Sequence, residues 1–289
     1  MIRTVTGDVA PATVGLAHSH EHLLARPPLA DPDLQLDDEQ RARHDLEDFR
    51  FAGGDLLVEA TTVDYGRDLD GLRRLASAAG VHIVATTGFN KGAYCRPYCE
   101  DRDPATLARV QIVDIESGCG VVKFGTSLDR IEPWERVAAQ AAALTHAGTG
   151  CPILTHTEAG TMAHAQLDLL AAHGVAAEHV ILCHLDRRPD LDLHLSLIER
   201  GATLSYDQLP KPKYATADAA VALLAELAAR GLADRVMVGG DLSRRSYFTG
   251  YGGTPGLGWL ATTWRAQLDA ATAEAVFTAA PRRALALRR

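Results

Sequence analysis

The chain has 289 residues, 47% of them hydrophobic, with a formal net charge of −8. That length holds one or two domains and a large buried core, and α/β barrels take ~250 residues as one domain. The acidic balance, with no basic run before the last few residues, argues against nucleic acid or an anionic membrane as the main partner.

In chain order, short apolar runs alternate with Ala/Leu/Arg-rich segments of helical spacing. The predicted strands are VGLAHSHEHL (14–23), DLLVEATTV (55–63), VHIVATTGF (81–89), GVVKFGTS (120–127), CPILTHTEA (151–159), VILCHLD (180–186), ATLSYDQ (202–208) and VMVGGDLS (236–243). The segment LARPPLADPDLQLDDEQ after the first strand reads as an excursion leading into a helix. Predicted helices include RDLDGLRRLASAAG, PWERVAAQAAALTHAG and TADAAVALLAELAARG, each closing on a glycine as helix C-termini often do. Eight near-continuous apolar strands, each followed by a helix, are the pattern of a parallel (β/α)8 TIM barrel, an α/β fold. A doubly wound open sheet is the alternative, with fewer strands. No linker or low-complexity tract interrupts 1–289, so one barrel domain is expected.

No apolar run is long enough to span a membrane. The segment MIRTVTGDVA lacks the regions of a signal peptide. Five scattered cysteines make no disulfide framework, so a reducing cytoplasm is the expected location. Cys95 and Cys99 have no matching second pair, which argues against a structural zinc site there.

Chemistry in such a barrel sits at the C-terminal ends of the strands. His20 and His22 end the first strand, and their i, i+2 spacing puts both on one face. By the same spacing His18 shares that face and is a weaker rival. His156 ends the fifth strand, His184 the sixth and Asp241 the eighth. Four imidazoles and a carboxylate at one end of a barrel suit zinc or a similar first-row divalent ion. Other histidines, such as His44, His146, His164, His173, His179 and His194, fall in helical or loop patterns and read as ordinary structural or surface residues.

Lys123 sits inside the apolar fourth strand. A buried ammonium without a partner is costly, so such a lysine is deprotonated, paired or modified. Of 29 Lys and Arg residues only four are lysines: Lys91, Lys123, Lys211 and Lys213. In an arginine-rich chain, a remaining lysine suggests chemistry that guanidinium cannot supply. A lysine carbamylated by CO2 offers two oxygens and a negative charge, enough to bridge two ions.

His-x-His after strand one, Lys in VVKFGTS, His in THTEAG, His in CHLDR and Asp in GGDLS together resemble the phosphotriesterase family of the amidohydrolase superfamily. The resemblance runs from about residue 7 to FTAAPRRAL and includes VEATTVDYGRD after strand two. It implies a binuclear centre, most simply of two Zn2+. His20, His22 and Asp241 would hold the more buried ion, and His156 and His184 the exposed one. N6-carboxylysine at Lys123 and a hydroxide would bridge them. The hydroxide would attack, and Asp241 would accept its proton.

Three lysines, Lys91, Lys211 and Lys213, lie in loops at the same end, with Arg244, Arg245, Tyr247 and Tyr251. Together they make a plausible anion pocket. The loops TGFNKG, KPKY and GGDLSRRSYFTGYGG are similar to the family branch that hydrolyses phosphorylated furanose lactones. That similarity implies phosphate binding by Lys213, Arg244 and Tyr247, with Lys91 a further substrate-binding candidate. The expected activity is hydrolysis of a phosphorylated sugar 1,4-lactone. The alternatives are an acyl-homoserine lactonase or organophosphate triesterase, and a non-catalytic metal-binding protein. A homodimer is expected by family analogy alone.

Overall fold

The computed structural model describes residues 1–211, 213–214 and 216–288. A short antiparallel hairpin, β1 (Ile2–Thr4) and β2 (Gly7–Val9), precedes an eight-stranded parallel sheet. Its strands are β3 (Leu16–Glu21), β4 (Gly54–Glu59), β5 (His82–Gly88), β6 (Cys119–Thr126), β7 (Ile153–Thr157), β8 (Val180–Cys183), β9 (Thr203–Tyr206) and β10 (Val236–Val238). They pair in sequence order from β3 to β10. The two outer strands meet at a seam, where Asp241 N donates to His20 O (2.8 Å) and His22 N donates to Leu242 O (3.2 Å). The result is the predicted (β/α)8 barrel.

Helices α1 (Glu39–Phe51), α2 (Leu69–Ala79), α3 (Gly92–Cys99), α4 (Pro104–Glu116), α5 (Pro133–Thr149), α6 (Ala163–Ala171), α7 (Leu191–Glu199) and α8 (Ala217–Ala229) follow the strands. At the C-terminal end, α9 (Ala270–Glu274) continues through a π-turn into α10 (Ala280–Ala284). Local chemistry sets the starts. Asp38, Asp68, Asp103, Asp190 and Asp269 each accept backbone N–H bonds as N-caps, and Glu132 with Glu135 forms a capping box on α5. α5 ends at Gly150, two residues beyond the expected Gly148. α3 was not anticipated, since it carries Pro97 internally and follows a loop-like Asn-Lys-Gly.

The core has two layers. Leu56, Val58, Val84, Val121, Leu154, Ile181 and Met237 pack together inside the barrel. Alternate residues such as Leu57, Ile83, Val122, Phe124, Ile153 and Leu182 pack against the helices. This alternation turns Lys123, like Val121, toward the interior.

One face assignment fails. His18 stacks between Phe49 (4.5 Å) and Phe277 (6.2 Å) in the helix-facing layer, away from His20. The register of β3 shifts between His18 and Glu21, so i, i+2 spacing does not carry across it. His18 Nδ1 instead meets Glu21 Oε1 at 3.0 Å. Glu21 in turn accepts from Gly240 N and Leu242 N, tying the seam.

Candidate metal centre

The predicted ligands converge at the C-terminal mouth. His20, His22, Lys123, His156, His184 and Asp241 all line one cavity of about 170 Å3. His22 Nε2 lies 3.2 Å and His20 Nε2 3.6 Å from Asp241 Oδ1. Bonds of ~2.0–2.1 Å in a tetrahedral shell set ligand atoms ~3.3 Å apart, so this trio suits one ion. Opposite, His184 Nε2 faces His156 Nδ1 at 2.9 Å. Lys123 Nζ lies 3.3 Å from His20 Nε2 in the same cavity and donates to Ala60 O at 3.1 Å. His184 and Asp241 both adopt positive φ, 66° and 44°, conformations that non-glycine residues hold only where surroundings enforce them.

Acceptors behind the rings determine which nitrogens face the cavity. Asp207 Oδ1 lies 2.6 Å from His184 Nδ1, and Oδ2 lies 3.2 Å from His20 Nδ1. Gln208 Nε2 also lies 2.7 Å from His184 Nδ1, but the shorter contact to an ionised oxygen, which can only accept, sets the proton there. The His20 contact is close but off the N–H axis, so Nδ1 has no well-aligned partner. Thr61 Oγ1 donates to Glu59 Oε1 (2.6 Å) and so accepts from His22 Nδ1 (2.7 Å). His156 Nε2 donates to Glu158 Oε2 (3.1 Å). Ionised carboxylates only accept, so the outer nitrogens of His184, His22 and His156 carry the proton and their inner nitrogens present lone pairs, and the carboxylate charge beside His20 Nδ1 favours the same tautomer there. Two lone pairs then face each other between His156 and His184, and another faces a carboxylate oxygen between His22 and Asp241. Such arrangements repel unless a cation is shared, so the donor set fits divalent metal.

The electrostatics agree. His20 is pushed down to about 3 by burial and by Lys123. Burial, then His184, holds His156 well below the usual imidazole range. Neutral imidazoles leave no proton to compete with a metal. Burial lowers the Lys123 ammonium as well. For Asp241 burial acts upward, but Lys211, His22 and His20 outweigh it and hold the carboxyl well below its usual range. Gln208 Nε2 donates to Asp241 Oδ2 at 2.7 Å, and the Lys211 ammonium pairs with the same oxygen.

The substrate-binding candidates are more dispersed. Lys91 lines the cavity, whereas Lys213, Arg244 and Tyr247 are not among its described lining residues. Most of the loop cations are already paired. Glu158 holds Lys91 and Arg187, Asp31 (3.0 Å) and Asp33 (3.3 Å) hold Arg244, and Asp37 (2.6 Å) holds Arg245. Lys213 stacks on Tyr214 (4.7 Å), Lys211 lies 5.8 Å from the Tyr247 ring centre, and Tyr251 packs under Arg41 and Arg245. Sequence reasoning missed Tyr65, Asn90, Tyr94 and Ser243, which complete the wall. It also missed the buried acceptors Asp207, Glu59 and Thr61 behind the rings. Asp207 ends β9 at the same barrel face, a positional signal that was available.

A (β/α)8 barrel whose mouth gathers imidazoles and a carboxylate onto one cavity defines a metal-dependent hydrolase class. The chain belongs to the phosphotriesterase family, whose family model matches residues 1–269. Members of this metal-dependent family are hydrolases acting on ester bonds, and so is this chain. It is 34% identical over 266 residues to the phosphotriesterase homology protein of Escherichia coli, covering 89% of this chain and 91% of that one. A crystal structure of the E. coli phosphotriesterase homology protein, complexed with phosphate in its active site, matches with a TM-score of 0.90 at 31% identity, covering 94% and 99% of the two chains. The phospho-furanose lactonase of Mycoplasmopsis agalactiae is 30% identical over 241 residues, covering 74% of this chain and 68% of that one. The lactonase Lmo2620 from Listeria monocytogenes superposes with a TM-score of 0.95 at 32% identity, covering 100% and 99%. Among the described residues, no helix is long and apolar enough to cross a membrane.

Proposed function

We propose that this chain is a binuclear metal-dependent lactonase that opens a phosphorylated sugar 1,4-lactone to its acid. The observation that carries the reading is the cavity itself. Four imidazole lone pairs and Asp241 converge on a polar space of about 170 Å3 with Lys91 at its wall. These polar ligands and the Lys91 ammonium favour a compact polar ring over a long acyl chain. The similarity to lactonases and to a phosphate-complexed relative supports the same choice.

His20, His22 and Asp241 would hold one ion, probed most simply as Zn2+, and His156 and His184 the other. Lys123 would stand between them as N6-carboxylysine. Burial favours its neutral amine, the form that adds CO2: the nitrogen lone pair forms the N–C bond and the ammonium proton leaves. Bound ions would supply Lewis acidity and a water of lowered pKa. Asp241 would take the proton of the attacking water at its carboxylate and return it to the ring oxygen as the ester bond breaks. Gln208 and Lys211 hold Asp241 Oδ2 in place for this transfer. The substrate phosphate would displace carboxylates from the rim, chiefly Asp31 and Asp33 from Arg244. Exposed pairs of this kind are worth only ~0–1 kcal/mol, so a phosphate can replace them. Lys213 and Tyr247 would join Arg244, and Lys91 would approach the ring.

A second reading rests on the Tyr65–Tyr94 edge-on pair (5.3 Å) in the cavity wall, which suits a neutral lactone or triester. A lactone panel, each compound with and without its phosphate, separates the two on metal-loaded enzyme. A much higher kcat/KM for the phosphorylated members is expected. Equal kcat/KM for both would refute the phosphate requirement.

A further inference from the structure

The two halves of the centre share one buried group. Asp207 is fully buried at the end of β9, within the barrel interior. Its Oδ1 accepts from His184 Nδ1 (2.6 Å) and from the His184 backbone N–H (3.0 Å). Its Oδ2 accepts from Ser205 Oγ (2.9 Å) and lies 3.2 Å from His20 Nδ1. By contrast, Thr61 stands behind His22 alone and Glu158 behind His156 alone.

We infer that Asp207 is a positioning residue common to both metal sites, fixing Nε2 as the ligand atom of His20 in one and of His184 in the other. The inference rests on the binuclear reading above. A carboxylate has two acceptor oxygens and no proton, so it favours the same tautomer in both rings, Oδ1 through its bond to His184 Nδ1 and Oδ2 through the charge it places 3.2 Å from His20 Nδ1. An amide cannot. Its oxygen would take the place of Oδ1, where two N–H groups already converge. Its NH2 would then face His20 Nδ1, make that nitrogen the acceptor and move the proton to Nε2, where it blocks a metal. Alanine removes both acceptors.

These alternatives give different metal-binding patterns in the chelator-stripped full-length protein. Zn2+ affinities would be measured by competition with a chromophoric chelator, and stoichiometry by elemental analysis. Thr61→Val and Glu158→Gln mark which binding step belongs to which site. Asp207→Ala should weaken both steps, each by roughly 10- to 100-fold, the usual effect of losing a carboxylate behind a ligand histidine. Asp207→Asn should weaken chiefly the step marked by Thr61→Val. Asp207→Ala affecting one step or neither would overturn the inference, as would Asp207→Asn matching the unaltered protein. Should the alanine variant not fold by circular dichroism, the asparagine pattern decides alone. Fewer than two ions in the unaltered protein would instead refute the binuclear reading itself.

Discussion

Replacing Gly88 by alanine should unsettle the centre from below. Gly88 pairs with Lys123 across β5 and β6, and Phe89 N donates to Lys123 O at 2.8 Å. Its φ is +92°, and an added Cβ would fall 2.8 Å from Lys123 N and nearer still to Lys123 O. Positive φ costs a residue with a side chain ~1–2 kcal/mol. Pushing the strands apart weakens a buried ladder bond by a further ~1 kcal/mol. A loss of ~2–3 kcal/mol lowers the Tm of a chain this size by roughly 3–6 °C. Gly80→Ala is the control, because Gly80 has φ +65° but nothing within 4 Å of the added carbon. Calorimetry on both variants, with metal content measured alongside, reads the difference. Gly88→Ala should melt below Gly80→Ala by the cost of the clash alone, since both carry the positive-φ cost, and should bind less metal, since Lys123 is displaced. Equal melting temperatures with full metal loading would refute the claim that this close approach positions Lys123.

Lys123→Arg should abolish binding of two ions despite keeping a cationic side chain, while Lys123→Glu should retain part of it; elemental analysis of purified protein checks both. Intact mass of the metal-loaded protein under native conditions should carry one added CO2 per chain, and its absence with both metals bound would count against carboxylation. Arg244→Ala should raise KM several-fold for phosphorylated lactones and leave neutral lactones unchanged; equal losses on both would assign Arg244 to its bridge with Asp31 and Asp33. Chelator treatment should lower Tm in a way that added Zn2+ reverses, because ligands that bind only the folded state stabilise it by mass action.

The barrel was legible because its strands are apolar on both faces and strictly alternate with helices. A chain such as GVVKFGTS has few other ways to bury Val121, Val122 and Phe124 together. The ligand candidates were legible because His20, His22, His156, His184 and Asp241 interrupt that pattern at one end of each strand. His18 misled because a register shift in β3 is set by pairing with β4 and leaves no local mark. Asp207, Glu59 and Thr61 were overlooked because acceptors behind a ligand look like ordinary strand-end polar residues until the rings they face are placed. The loop cations were read together as an anion site. The carboxylate partners of Arg244 and Arg245, namely Asp31, Asp33 and Asp37, lie more than two hundred residues away in sequence, so the neutralisation of these two cations emerges only on folding.

The seam between β3 and β10 has a consequence for biosynthesis. His20 and His22 come from the first barrel strand, and Asp241 follows the last. A chain still growing on the ribosome presents the two histidines early, but their carboxylate partner arrives only after residue 241 has been made. The trio cannot assemble on a partial barrel, and the groups that tie the seam also gather its ligands. An ion held there would act as a clasp on the closed seam, so acquisition of metal would report that the chain has grown past Asp241 and that the first and last strands have met.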